Sequence, residues 1–227
     1  MSYLEVLETE LRIFQLDLPS QQRLLLARYC DELTHWNKRF NLTALSGSNL
    51  VRRLVVEPAW IALQLKPTGV LADIGSGNGS PAIPFHAVSQ LKETHLIEAR
   101  TKRTVFLRHL ATSLQLLGLT VHRGRFDDVA PRLGPVDWVT LQGIALSEEL
   151  VETMRQMKTM SGCECKPDAE RERDSAKHQA WAQPSRKKTT TVVWITSKAS
   201  RFSLKAAAEL EVPITGTKVL LFRLDQS

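Results

Sequence analysis

The chain of 227 residues is poor in cysteine, in aromatic residues and in long apolar runs. Its three cysteines, Cys30, Cys163 and Cys165, are too sparse and too odd in number for a disulfide-stapled secreted domain. A reducing, cytoplasmic setting is expected. No basic patch at the amino terminus leads into an apolar core, so no secretory leader is expected. Apolar runs such as Val70–Ala72 and Val219–Phe222 fall far short of the ~20 residues that a membrane-spanning helix needs, which points to a soluble protein. The pair Cys163 and Cys165, with His178 far away, lacks the paired ligand spacing of structural zinc, and no metal is expected. Eleven glycines and ten prolines are too few for a collagen-like or unfolded chain, and 43% hydrophobic residues suffice for a large core.

What the chain does have is a surplus of positive charge. Thirty Lys and Arg face 24 Asp and Glu, a net charge of +6, which favours a polyanionic partner through phosphate contacts and counterion release. A surplus this mild also occurs in proteins that bind no nucleic acid.

Apolar residues recur three or four apart from Tyr3 to Leu16 and from Ser20 to Phe40, as at Leu26, Cys30, Leu33 and Trp36. These stretches predict two helices, with Ser20 placed to cap the second and Asn41-Leu42-Thr43 stopping it. A third apolar stretch runs from Leu50 to Leu65 and ends in a turn cluster at Lys66–Gly69. The period then changes. Strands are predicted at Val70–Ile74, Thr94–Glu98, Leu119–His122, Val136–Leu141, Thr191–Thr196 and Lys218–Leu224. Helices are predicted at Pro84–Gln90, Lys102–Leu116, Ser147–Met160 and Lys205–Leu210. Alternation of this kind gives an α/β, Rossmann-like, doubly wound parallel sheet. The expected organisation is a helical cap over residues 1–66 and a sheet domain over 67–227. Residues 161–188, polar and mixed in charge, form an expected flexible insertion in that domain.

The sharpest local signal is Asp73-Ile74-Gly75-Ser76-Gly77-Asn78-Gly79, where the first strand meets a helix. Glycines there let the backbone turn tightly and let a ligand approach the amides. The spacing is G-x-G-x-G, and a carboxylate at Asp73 opposes a pyrophosphate. It suits a cofactor carrying a cationic ammonium and sulfonium, which points to S-adenosylmethionine. Glu98, about twenty residues on at the end of the second strand, can accept hydrogen bonds from both ribose hydroxyls. A glycine-rich turn with no ligand is the alternative.

Three ordered segments carry a family resemblance: Trp36-Asn37-Lys38-Arg39-Phe40-Asn41-Leu42-Thr43-Ala44, then Asp73 to Pro84 (DIGSGNGSPAIP), then Lys102-Arg103-Thr104-Val105-Phe106-Leu107-Arg108. Between about Leu24 and about Met160 the chain resembles the small-subunit ribosomal RNA methyltransferase G family, also called glucose-inhibited division protein B. The resemblance implies a Rossmann-like methyltransferase that moves a methyl group from S-adenosylmethionine to N7 of a guanine in 16S rRNA. Guanine N7 carries a free lone pair and no proton, so the transfer needs a held geometry more than a general base, and no catalytic residue is assigned. The chain has no Asn/Asp-Pro-Pro-aromatic tetrapeptide of the exocyclic-amine enzymes, and no cysteine near a strand end between Asp73 and Leu141 to attack a pyrimidine.

The candidate cofactor residues are Asp73, Gly75, Ser76, Gly77, Gly79 and Glu98, to which the resemblance adds Phe126 and Asp127 beside the adenine, and Ser80 and Gln142. The chain departs from the family at several of these positions. The family's Arg-His-Leu-Leu-Asp-Ser reads Arg53-Leu54-Val55-Val56-Glu57-Pro58, with leucine for histidine. Ser80 replaces a bulky apolar residue, Gly124-Arg125-Phe126-Asp127 stands for Gly-Arg-Ala-Glu, and Leu141-Gln142-Gly143 for Ser-Arg-Ala. The Pro-Gly-Gly turn before the fifth strand is replaced by the 161–188 stretch. Candidate RNA contacts are Arg39, Asn41 and Thr43 at a helix end, with Lys102, Arg103, Arg108, Arg123 and Arg125 forming a basic rim. Trp36 and Phe40 are expected in the core. The implied partner is small-subunit rRNA or the subunit, bound by a monomer. The altered positions leave two other readings open: a relative that binds cofactor or RNA without turnover, and a methyltransferase for another substrate.

Overall fold

The computed structural model describes residues 2–157, 189–196 and 205–225. Two amphipathic helices come first, α1 (Tyr3–Ile13) and α2 (Ser20–Phe40). A capping box starts α1: Ser2 Oγ accepts from the Glu5 amide, and the Glu5 carboxylate accepts from the Ser2 amide. Ser20 is not a cap. Pro19 holds that position in extended conformation and its carbonyl accepts from the Arg23 amide at 3.1 Å, so the helix starts at Ser20. At the other end Asn41 takes a left-handed conformation, φ +53°. The turn beyond it hangs on one side chain. Asn37 Oδ1 accepts from the amides of Leu42 (2.6 Å) and Thr43 (2.9 Å), and its Nδ2 donates to the Thr43 carbonyl at 2.8 Å.

The stretch expected as a third helix has three parts. Helix α3 (Gly47–Val51) widens through Arg52–Val56 into a π-helical turn and resumes as α4 (Glu57–Leu65). Pro58 accounts for the widening, since it lacks the N–H that a regular helix would direct at residue 54.

Among the described residues, seven strands form one sheet: β1 (Thr68–Ile74), β2 (Gln90–Glu98), β3 (Leu119–Arg123), β4 (Trp138–Gln142), β5 (Thr189–Thr196), β6 (Ala208–Glu211) and β7 (Lys218–Asp225). Their order is β3-β2-β1-β4-β5-β7-β6. The first five run parallel to their neighbours, whereas β7 runs antiparallel to both β5 and β6. The sheet is therefore mixed rather than parallel throughout. The reason lies in Lys205–Leu210, expected as a helix: Ala208–Glu211 is instead an edge strand paired with β7 across a turn at Gly216 (φ +63°). Pairing with a committed neighbour outweighs the helical preference of the alanines.

Helices α5 (Ala82–Val88) and α6 (Thr101–Ser113) join the early strands, and α7 (Phe126–Val129) and α8 (Glu148–Gln156) flank β4. One apolar cluster unites α1, α2, α5 and α6 with Leu71, Leu96 and Val193 of the sheet; a second, around Ala72, Phe126, Val139 and Met154, fills the other face. The amino-terminal helices thus share a core with the sheet. No helix among the described residues is long and apolar enough to cross a membrane. The 161–188 stretch, with Cys163, Cys165 and His178, lies outside the described residues.

Replacing Asn37 with alanine strands two amide donors in a half-buried turn. Urea unfolding of Asn37→Ala should show a loss of about 2 kcal/mol, as a lower midpoint at unchanged slope.

Candidate functional site at the carboxyl ends of the strands

The sheet reverses its winding at β1, which has β2 on one side and β4 on the other; in open α/β sheets this is where a crevice forms. Register places Ile74 beside both Ile97 and Leu141, so Glu98 and Gln142 each lie one step beyond, flanking the loop that leaves β1. Ser76 stitches this end. Its hydroxyl donates to the Asp73 carbonyl and accepts from the Ile97 amide, both at 3.0 Å, while the amides of Gly75 and Ser76 donate to the Ile97 carbonyl. The Ser76 side chain is wholly engaged in structure.

Gly75, Gly77 and Gly79 all have positive φ (+71°, +54° and +97°). Two of them are also sterically required: a Cβ on Gly75 would run into Ile144, and one on Gly79 into Ile83.

Asp73 is buried on the face toward α2. Its Oδ1 accepts from Thr140 Oγ1 at 2.7 Å, and its Oδ2 is buried with no hydrogen-bond partner among the described residues. Burial pushes its pKa up to about 6; the Thr140 hydroxyl opposes the rise and the neighbouring Glu98 charge adds to it. Glu98 is nearly as buried but well served. Its Oε2 accepts from the Gly77 amide at 3.0 Å and its Oε1 from the Arg100 amide at 2.8 Å, with the Arg103 guanidinium 3.8 Å away. Each oxygen has a second lone pair for another donor.

Ser80 Oγ donates to Gln142 Oε1 at 3.4 Å, tying the glycine loop to the end of β4. Beyond Gln142, the Ile144 carbonyl accepts from Trp194 Nε1 at 3.0 Å, which holds Ile144 over Gly75. From the other side the fully buried Tyr29 of α2 donates its hydroxyl to the Asn78 carbonyl at 3.0 Å.

The family model for rRNA small subunit methyltransferase G matches residues 22–201. The chain belongs to this family. A methyltransferase G of Chloroflexus aggregans is 36% identical over 141 residues, 60% of this chain and 59% of that protein. That of Methylobacillus flagellatus is 31% identical over 156 residues, 69% of this chain and 76% of that protein. The chain spans 59%, 58% and 54% of the length of the Chloroflexus aggregans, Geotalea uraniireducens and Polynucleobacter asymbioticus relatives. Among solved structures, a methyltransferase from Geobacter sulfurreducens shares the fold at 10% identity and a TM-score of 0.54, over 87% of this chain and 90% of that one.

Of the residues that the methyltransferase G motifs single out, Asp73, Gly75, Ser76, Gly77, Gly79, Ser80, Glu98 and Gln142 come together at this one end. Phe126 packs its ring into the core beneath the sheet, and Asp127 is exposed, accepting from Thr153 Oγ1 at 3.2 Å. The basic residues divide. Arg103 is drawn to Glu98; Lys102, Arg123 and Arg125 are exposed near the strand ends, and Arg39 is exposed in the last turn of α2; Arg108 sits about 9 Å farther along α6 than Lys102. Asn41 and Thr43 build the turn, the Thr43 hydroxyl accepting from the Leu45 amide at 3.1 Å.

Sequence reasoning missed Tyr29, Thr140, Ile144 and Trp194. Tyr29 was signalled by its phase: it shares the apolar face of α2 with Leu26 and Leu33, where a buried hydroxyl needs a partner. Thr140 was signalled as the one polar residue inside the apolar run of β4.

A carboxyl whose folded pKa lies above its ordinary 3.8 is bound more tightly by its proton in the native state, so stability falls as pH rises from about 4 toward and past 6. Between pH 4 and pH 7 the wild type should lose about 2–3 kcal/mol more than Asp73→Asn, as read from urea midpoints without ligand.

Proposed function

We propose that this protein transfers a methyl group from S-adenosylmethionine to N7 of a guanine in small-subunit ribosomal RNA. The observation that carries the reading is the buried Asp73 carboxylate with one oxygen lacking a partner among the described residues, set behind a loop whose turns at Gly75 and Gly79 only glycine can form. A buried anion in want of a counter-charge suits a cationic ligand better than a phosphate. Family membership and the shared fold agree with it.

In this reading Asp73 takes the ammonium end of the cofactor and the backbone of Gly75–Gly79 passes close along it. Glu98, already fixed by Gly77 and Arg100, accepts from the ribose hydroxyls with its remaining lone pairs. Phe126 and Asp127 border the adenine, the former through its backbone because its ring is in the core. The cofactor, when bound, supplies an electrophilic methyl group on a sulfonium. Guanine N7 brings a lone pair and sheds no proton, so the chain's task is to orient and exclude water rather than to act as a base. Arg39, Lys102, Arg123 and Arg125 take the RNA phosphates, and residues 1–66 serve as a helical cap beside the cofactor loop. Acting on the small subunit as a monomer, the protein would work in the cytoplasm.

Gln142 gives ground for a second reading. A neutral amide stands where the family resemblance expects an arginine, and a relative that binds cofactor without turnover would look the same.

Calorimetric titration with S-adenosylmethionine should show binding that weakens 10- to 100-fold in Asp73→Ala, the loss of a charge-assisted bond of about 1.5–3 kcal/mol. Equal heats for both proteins would remove the cofactor assignment. Labelled methyl groups should then enter small-subunit RNA at a guanine that borohydride and aniline cleave; tight binding with no incorporation selects the second reading.

A further inference from the structure

We propose that the cleft between α2 and α6 is a stacking site for a nucleobase of the RNA strand that flanks the methylated guanine. The inference rests on the reading of the protein as an RNA methyltransferase and adds where the strand runs. The cleft has a volume of about 720 Å³, within the ~300–1,000 Å³ typical of small-ligand sites. Trp36 and Phe40 of α2 and Val105 and His109 of α6 line it, with Arg39 toward one end.

Trp36 and Phe40, expected in the core, are only half-buried. They meet edge to face with ring centroids 5.1 Å apart, and His109 lies tilted against Trp36 at 4.8 Å. Val105 is 45% exposed on the same wall, although its neighbours in sequence include Lys102, Arg103 and Arg108. Aromatic faces and an exposed aliphatic edge, with Arg39 in the lining and the exposed Lys102 and Arg108 on α6, make a platform on which any base can stack while cations hold its phosphate.

The position of the cleft selects RNA as the occupant. Helices α2 and α6 run antiparallel: Arg28 donates to the Ser113 carbonyl (2.7 Å), Glu32 is hydrogen-bonded to His109 (2.8 Å), and the Trp36 ring packs tilted against Phe106 with centroids 5.8 Å apart. That register carries Arg39 and Phe40 to the first turn of α6, where Lys102 and Arg103 follow Glu98 by four and five residues. The cleft therefore opens onto the cofactor loop at its cationic end. The lining also carries two carboxylates, Asp31 and Glu32, about two turns of α2 before Arg39, and Glu32 is hydrogen-bonded to His109 at 2.8 Å. A strand with its target base at the loop passes over Lys102 and Arg39 and lays a neighbouring base between Phe40 and Val105.

Phe40→Ala removes a stacking face, and Val105→Glu places a negative charge in the cleft at an exposed position, so the fold survives; thermal melts by circular dichroism check this. Fluorescence anisotropy with a labelled fragment of small-subunit RNA should show about 10-fold weaker binding for each variant. The KM for RNA should rise in step, with kcat and the calorimetric affinity for S-adenosylmethionine unchanged. Wild-type RNA affinity in folded Val105→Glu overturns the proposal. A defect seen with whole subunits but absent with naked RNA overturns it too, and assigns the cleft to a ribosomal protein. Failure of the wild type to transfer methyl groups would count against the methyltransferase reading alone, because the anisotropy measurement decides the cleft without turnover.

Discussion

One serine hydroxyl fixes the geometry on which the site depends. Ser76 Oγ bonds to the backbone of β1 at Asp73 and of β2 at Ile97, so the two strands end at one level and the chain must leave that level abruptly. Abrupt departure demands positive φ, and glycines follow at 75, 77 and 79. The same seam, ending at the pair Ile74 and Ile97, sets Asp73 one residue before it and Glu98 one residue after it. Burial and a deficit of partners fall on Asp73, while Glu98 receives two amides and a guanidinium. Two carboxylates at one strand end thereby acquire different properties from position alone.

The amino-terminal helices are part of this arrangement rather than an appendage. Tyr29 reaches from α2 to the carbonyl of Asn78, and Thr34, Glu32 and Arg28 tie the same helix to α1 and α6. A second tie runs to the far edge of the sheet. Glu57, buried at the head of α4, accepts from Arg53 Nη1 (3.0 Å) and from Thr217 Oγ1 (2.9 Å), and Thr217 stands at the start of the β7 hairpin arm. Burial raises the pKa of Glu57 against the pull of the arginine, so this linkage specifies where the helices dock more than it stabilises them. The docking keeps Tyr29 against the loop.

How much of this was legible follows from what each signal encodes. Periodicity gave α1, α2, α5, α6, α8 and the five parallel strands, because burial on one or both faces imposes it directly on sequence, but not the short α7. It misassigned Ala208–Glu211, whose edge-strand state depends on β7 and not on its own residues. The glycine spacing and the acid at 73 located the loop, since conformation and charge at one point are local properties. Partners distant in sequence were not legible: Thr140 is 67 residues from Asp73, and Trp194 is 50 from Ile144. The role of the Ser76 hydroxyl was likewise hidden, because nothing local distinguishes a serine that faces a ligand from one that bonds two strands. Phe126 was located in sequence, yet the burial of its ring depends on the packing of α7 beneath the sheet.

The orphaned oxygen of Asp73 also bears on why the site is built from so few charged groups. An ionised carboxylate at that depth disfavours the ligand-free fold, and a cation arriving beside it offsets the desolvation that burial has already imposed. The same charge on an exposed aspartate would attract a cation only through water, where the interaction at 4 Å is worth ~1 kcal/mol. On the proposed function, selectivity for a cationic donor over a nucleotide phosphate would require no dedicated contact: an anion entering behind the loop would meet an unscreened like charge and leave Asp73 without a partner. Lys102, Arg39 and Arg123 are exposed, and on the proposed function they would attract RNA phosphate at a range set by salt screening. On the proposed function, separation by depth would let one strand end take a cation inside and a polyanion outside, with Arg103, half-buried against Glu98, between the two.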